Sequence, residues 1–409
     1  MNNPLSILIL HRVPFENVGY DNVIDHQFHN VTYIGLSSAI NSIPPQIHCS
    51  RVIIESTDDL VEKSVNLCKE ENKKFDHVIA VSEYQLYDAA NIRHTLNIPG
   101  PKMQEVKKVR DKVIMKKSIE SAGLDTPKFS ELTDVIFGKE KFCADIKLIL
   151  KPKDGASSEN VIAFDNIDSL LSSIHRKETG IELLDKHHAY EKFEVEEFIT
   201  GSIIHIDGIV ENSLISELIV SRYEGTCLAF AEGQAFGSYQ IDMEEKFHVW
   251  AQSVIHALNI KSGAFHLEGF ESGGRLVFLE IGHRAGGANV VKTFELATGI
   301  NLHQANIATQ LDLPIKIKSV QAGKNYGWFV FPGHHYPWTH CRLSGHEKHC
   351  IDERMLEWNQ LMPKQQLTKN ITYQKKEVPA AGIIHGNNTL EVQQFMQLVL
   401  NEVKVLEHL

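Results

Sequence analysis

The stretch FHLEGFESGGRLVFLEIGHRAGG, residues 265–287, decides how this chain is read. Two runs of alternating residues flank Gly273 and Gly274, which predicts an antiparallel β-hairpin. Each run carries one carboxylate, Glu268 in the first and Glu280 in the second. Directly opposed residues of an antiparallel pair share a face, and the sum of their numbers stays constant along a regular ladder. A two-residue Gly273-Gly274 turn makes that sum odd, whereas Glu268 and Glu280 share a face only if it is even. The expectation is an odd-length connection or a β-bulge, with a glycine at positive φ. Two carboxylates brought together repel unless a proton or cation intervenes, and hard oxygen donors of this kind suit a divalent cation such as Mg²⁺. Alone they would read as solvent-facing strand residues. Arg284, Gly286 and Gly287 follow at once, however: a guanidinium can grip both oxygens of an anion, and glycines allow close backbone approach to it.

Working outward, the chain shows a consistent order. Upstream lie strand signals in IKLILKP (146–152), VIAF (161–164) and VEEFI (195–199) running into SIIHIDGIV, with the small-residue loop KDGASSEN after the first and an amphipathic stretch near IDSLLSSIH. Before them, QEVKKVRDKVIMKKSIESAG reads as a helix whose Lys108, Lys112 and Lys116 form an i, i+4 row on a polar face. NIPGPK (97–102) breaks the pattern. Residues 1–102 alternate strand runs (SILIL, VTYIGL, RVIIES, HVIAVSE) with polar stretches, the rhythm of a small parallel-sheet domain. Downstream, WFVF and GIIHG read as strands and EVQQFMQLVLNEVKVLEHL as a terminal helix. The expected division is an N-terminal Rossmann-like domain (1–102), a linker helix (103–124), a lid (125–192) and a C-terminal catalytic domain with an extension (193–409).

Neither GxxxxGK[ST] nor GxGxxG occurs, so a nucleotide would have to be held by other means. The ordered set of Lys112, Lys151, the Gly155–Ser158 loop, Glu196–Ile199, Glu268 and Glu280 through Gly287 resembles the ATP-grasp superfamily, and within it the carboxylate-amine ligases that include bacterial L-amino acid ligases. That resemblance implies an α/β and α+β ATP-grasp fold with ATP between two subdomains, a carboxylate activated as an acyl phosphate, and capture by an amine. It implies Glu268 and Glu280 as ligands of Mg²⁺, two ions with Mn²⁺ as an alternative. Lys112 and Lys151 would contact phosphates, with Lys153 competing for the second place, and Ser157 and Ser158 would close over them. Glu196, Glu197, Phe198 and Ile199 would line the adenine, and Arg284, Gly286 and Gly287 would face the carboxylate or acyl phosphate. Two positions depart from the family pattern. Gly282 stands where many members have a ligand Asn, and Ile203 where a ribose-binding Glu is usual, which leaves His205 or Asp207, on the same strand face, to hold the ribose.

The composition sets outer limits. The 409 residues are 43% hydrophobic and 23% charged, enough for several packed domains, and the net charge of −11 disfavours nucleic acid or an anionic membrane as partner. No run reaches the roughly 18 apolar residues of a membrane span, and six scattered cysteines without a CxxC pair suggest reduced thiols, so a cytoplasmic address is expected. Expected partners are small-molecule carboxylate and amine substrates, with a homodimer allowed. His334, His335, His340, Cys341, His346, His349 and Cys350 crowd together at spacings that match no standard zinc pattern.

Overall fold

The computed structural model describes residues 3–70, 73–156 and 158–408. Strands β1 (Ser6–Leu10), β2 (Asn30–Leu36), β3 (Ser50–Ile54) and β4 (His77–Ala80) form a parallel sheet of order β3-β2-β1-β4. Their apolar runs are nearly unbroken because both faces are covered. Ile7 and Ile9 enter one core and Leu8 and Leu10 the other. The first of these cores also takes in Ile307 of the distant helix Leu302–Gln310 and Leu311, which caps its C-terminus. This contact docks the N-terminal domain on the rest of the molecule and aims the C-terminal end of β4 at the candidate site.

The expected linker helix is two helices, Met103–Lys108 and Lys112–Ser121. Asp111 causes the break, because its carboxylate accepts from the Val113 and Ile114 N–H groups at 3.0 and 3.1 Å and so caps a new helix. The restart also turns the lysine row inward, and Lys112 and Lys116 are buried rather than solvated.

The lid is an antiparallel sheet of β5 (Phe129–Glu131), β6 (Leu148–Pro152), β7 (Ile162–Phe164) and β8 (Phe193–Glu197), in the order β5-β8-β6-β7, backed by the helix Ile167–Arg176. The expected boundary at 192/193 therefore falls too early. β8 is bonded to β5 on one side and β6 on the other, and the chain leaves the lid only at the Thr200-Gly201 break.

The remaining strands are β9 (Ser202–Glu211), β10 (Leu214–Glu224), β11 (Phe236–Gln240), β12 (Gly263–Ser272), β13 (Arg275–Gly282), β14 (Asn325–Phe331), β15 (Cys341–Ser344), β16 (Met355–Gln360), β17 (Ala380–Gly386) and β18 (Lys404–Glu407). Eight of them make one sheet, β13-β12-β9-β10-β11-β14-β17-β16, while β15 and β18 pair apart from it. Met115 and Ile119 of the Lys112 helix and Phe247 and Val254 of the helix Glu245–Leu258 cover one face. Phe294 and Leu302, on the helices Val290–Thr298 and Leu302–Gln310, cover the other. The expected terminal helix stops at Glu402, since Val403 is extended and leads into β18. Among the described residues no helix is long and apolar enough to cross a membrane.

Candidate active site

The hairpin of β12 and β13 has the two-residue turn, with Gly273 and Gly274 at φ 58° and 78° and Ser272 opposite Arg275. It also has the bulge that parity demands. Gly269 opposes Phe278 but Glu268 opposes Glu280, so Leu279 is an extra residue on β13. The bulge brings Leu279 and Glu280 to one cavity that His266, Glu268 and Phe270 also line. Gly282 offers no side chain as a further ligand. Glu268 is instead oriented by the Tyr223 hydroxyl, which donates to it at 2.5 Å, and by His266 Nε2 at 3.3 Å.

Glu280 faces Lys112 Nζ at 3.1 Å. Burial alone would raise its pKa, but the Lys112 and Lys151 ammoniums hold the carboxyl below its usual range. Lys112 also donates to the Gly155 carbonyl at 2.7 Å, which ties the lid loop to the helix. Lys151 lines the cavity and is paired with Glu196 at 2.5 Å. Lys153 does not compete with it, because its ammonium turns to Glu131 at 3.6 Å and away from the cavity. Ser158 lines the cavity, whereas Ser157 lies outside the described residues.

Arg284 lines the cavity with its fork partly engaged: Nε donates to Glu83 at 2.6 Å and Nη1 to the Ala285 carbonyl at 2.8 Å. Nη2 has no protein acceptor among the described residues. Glu83, just beyond β4 of the N-terminal domain, also binds Arg110 at 2.5 Å. Its burial would raise its pKa, but Arg284 and Arg110 hold it low, so it stays an anion between two guanidiniums. Sequence reading missed Glu83, although its place at the C-terminal end of a parallel strand is where open sheets present ligand groups.

The cavity holds about 540 Å³ and runs between lid and central sheet. One end is apolar, formed by Ile149, Phe198, Ile199, Ile203, Phe270 and Leu279. Glu197 N–H and Phe198 N–H are spent on the Lys128 and Lys147 carbonyls, while Ile199 N–H has no protein acceptor among the described residues. The charged groups stand in the middle. The other end is walled by Tyr223, Phe236, Trp328 and Tyr373, with Gly287 and Val290 beside them.

His205 and Asp207 do share the cavity-side face of β9, but neither reaches the cavity, so the ribose role expected of them is not supported. They lie beneath His266 in a hydrogen-bonded chain. Ser238 Oγ meets His205 Nε2 at 2.6 Å, His205 Nδ1 meets Asp207 at 2.6 Å, and Asp207 meets His266 Nδ1 at 2.8 Å. Burial would lower the His266 pKa, but Asp207 and Glu268 push it up to about 10, so the ring is an imidazolium at neutral pH. Gly286 packs on this chain so closely that a Cβ there would sit 2.7 Å from Asp207 Oδ1, whereas Gly287 faces open space. Period-two spacing from Glu268 could have singled out His266; nothing in the sequence pointed to Tyr223 or Ser238. Among the described residues His205, Asp207 and His266 are the one group of three gathered closely enough to hold a metal, and the His/Cys-rich stretch 334–350 does not converge.

Residues 144–292 match the family model described as an ATP-grasp domain. Comparison with curated proteins gives no significant match. Among solved structures, the chain is similar to an L-amino acid ligase from Bacillus licheniformis, with a TM-score of 0.74 at 19% identity and all of both chains covered. It is also similar to N5-carboxyaminoimidazole ribonucleotide synthetase from Thermotoga maritima, with a TM-score of 0.66 at 14% identity over 99% of this chain and 100% of that one. Phosphoribosylglycinamide synthetase from Anaerococcus prevotii gives 0.62 at 11% identity, with both chains covered in full.

Proposed function

We propose that this chain, which has the ATP-grasp fold and an ATP-grasp domain at residues 144–292, is an ATP-dependent carboxylate-amine ligase. It joins an amino acid to a second amino acid or small amine and releases ADP and phosphate. The observation that carries this reading is the single cavity in which an apolar slot with an open Ile199 amide, a cluster of Lys112, Lys151, Glu268, Glu280 and Arg284, and an aromatic end follow one another. The slot suits an adenine, the cluster a triphosphate, and the far end a small organic substrate.

The donor set fits Mg²⁺, because two opposed carboxylates face the cavity and Lys112 already supplies a counter-charge 3.1 Å from one of them. Glu268 and Glu280 would hold the metal, which when bound neutralises phosphate charge and aligns the transfer. A carboxylate is a poor electrophile. Its oxygen attacks the γ-phosphorus of ATP, ADP departs, and the acyl phosphate then has a leaving group. The amine nitrogen attacks the acyl carbon, phosphate leaves, and the amine loses its proton. The free Nη2 edge of Arg284 holds the carboxylate, and Glu83 keeps that guanidinium in place. Lys112 and Lys151 meet the charge that develops on the phosphoryl group.

The test is a screen of amino-acid pairs read by phosphate release, followed by nucleotide chromatography on positive pairs. ADP formed only with both substrates is the expected result; AMP as product would overturn the acyl-phosphate route.

A further inference from the structure

Behind the cavity wall lies a closed group of four charges. Lys116 Nζ is 2.7 Å from Glu194 Oε1 and 2.5 Å from Glu196 Oε2, while Lys151 Nζ is 2.5 Å from Glu196 Oε1 and 3.8 Å from Glu194 Oε1. All four side chains are at most 6% exposed, so water compensates a lost partner only weakly. Lys151 and Glu196 line the cavity; Lys116 and Glu194 do not. Lys112 and Lys116 sit one turn apart on the same helix face, the first turned to Glu280 and the second to β8 of the lid.

We propose that Lys116 is a positioning residue for nucleotide binding: it holds Glu196 so that Lys151 can leave that carboxylate for a phosphate. The inference rests on nucleotide binding in this cavity. As it stands, the Lys151 ammonium is tied to Glu196, and a phosphate can take it only if Glu196 does not become a buried, unpaired anion. Lys116 prevents that, because it already contacts the other oxygen of the same carboxylate. Burial would raise the Glu196 pKa and Lys116 and Lys151 together hold it below the usual range, so with Lys151 gone Lys116 is the cation left to favour the anion. The group has no cation to spare: Glu194 Oε2 is buried with no donor among the described residues, so Lys116 already serves two carboxylates. Once Lys151 departs, Lys116 alone keeps both.

A charge-balanced double variant, Lys116→Met with Glu194→Gln, separates this role from mere structural neutralisation. It removes one cation and one anion and leaves Lys151 as the only cation of Glu196. Its melting temperature should recover relative to Lys116→Met alone. Its affinity for ADP and for a non-hydrolysable ATP analogue with Mg²⁺, measured by calorimetry on the full chain, should be weaker than wild type by at least about 10-fold. In turnover the KM for ATP should rise while the KM values for the amino acids stay put. A stable double variant that binds nucleotide as the wild type does would overturn the proposal. If the double variant does not fold, Glu194→Gln alone decides. It gives Lys116 wholly to Glu196, so nucleotide should bind at least as tightly as in the wild type, and a loss of about 10-fold or more would refute the idea. A wild-type chain that binds no nucleotide is a different result, one that removes the functional reading and this proposal with it.

Discussion

Replacing Gly286 with alanine should unsettle the candidate site in a way that replacing its neighbour does not. An ideal Cβ at Gly286 falls 2.7 Å from Asp207 Oδ1, 2.7 Å from Val290 Cγ1 and 2.9 Å from His266 Nδ1. Carbon atoms pack best at about 3.5–4.0 Å, so the overlap with Val290 is about 1 Å. None of the three neighbours can swing aside easily. Val290 is β-branched and stiff at χ1, and Asp207 and His266 are fixed by hydrogen bonds of 2.6 and 2.8 Å. The backbone must move instead, at a cost of about 1–3 kcal/mol for an overpacked interior. At about 2–4 °C per kcal/mol for a domain of this size, the melting temperature should fall by about 2–12 °C. The displaced His266 should also loosen Glu268 and lower kcat. Gly287→Ala is the matched control: its Cβ meets no atom within 4 Å and its φ is not positive, so stability should stay within about 0.5 kcal/mol of wild type. Thermal and urea melts of both variants give the answer. A Gly286→Ala protein that melts with the wild type, or an equal loss in both variants, would refute the packing argument.

Three further outcomes follow from the same geometry. Glu280→Gln removes the charge that faces Lys112 and would hold Mg²⁺, and substrate-dependent ADP formation should drop by at least about 10²-fold; near-normal release contradicts its role. Glu83→Gln leaves two guanidiniums facing an amide, so stability should fall by about 3–5 kcal/mol and the KM for the carboxylate substrate should rise, and unchanged melts together with unchanged KM would show that Arg284 is positioned by something else. His11 is fully buried and its pKa is lowered by that burial to about 4, so between there and 6.5 the folded chain binds fewer protons than the unfolded one. Its contribution is therefore complete above pH 6.5 and lost as pH falls toward 4, worth up to about 3 kcal/mol, and denaturant melts of His11→Gln should show that much less loss over the window than the wild type; parallel curves for the two proteins would count against it.

Some of the site could be read from one dimension because its logic is local. The parity of a two-residue turn forces a bulge if Glu268 and Glu280 are to meet, and the bulge is there, at Leu279. Alternation along β9 likewise puts Ile203, His205 and Asp207 on one face, as expected. Depth along that face is not local. It depends on what covers each position, and Tyr223 from β10, Ser238 from β11 and the Gly286 backbone close over His205 and Asp207 while Ile203 stays at the cavity.

Period-two spacing and turn glycines thus determined by themselves the hairpin, three of the four lid strands and the parallel N-terminal sheet, whereas Lys112, Lys151, Arg284 and both glutamates were singled out by the resemblance of their order to a known family. Spacing and turn signals arise from a residue's own neighbours in the chain. The tertiary structure alone decided which charges meet. Lys116 looks like a solvated helix lysine until Asp111 restarts the helix and turns it toward Glu194 and Glu196, and Glu83 gains its purpose from Arg284, 201 residues away, only because Ile307 and Leu311 dock the N-terminal sheet. Pairing of buried charges depends on distance through space, and a lysine or glutamate carries no mark in the sequence of the partner it will find there.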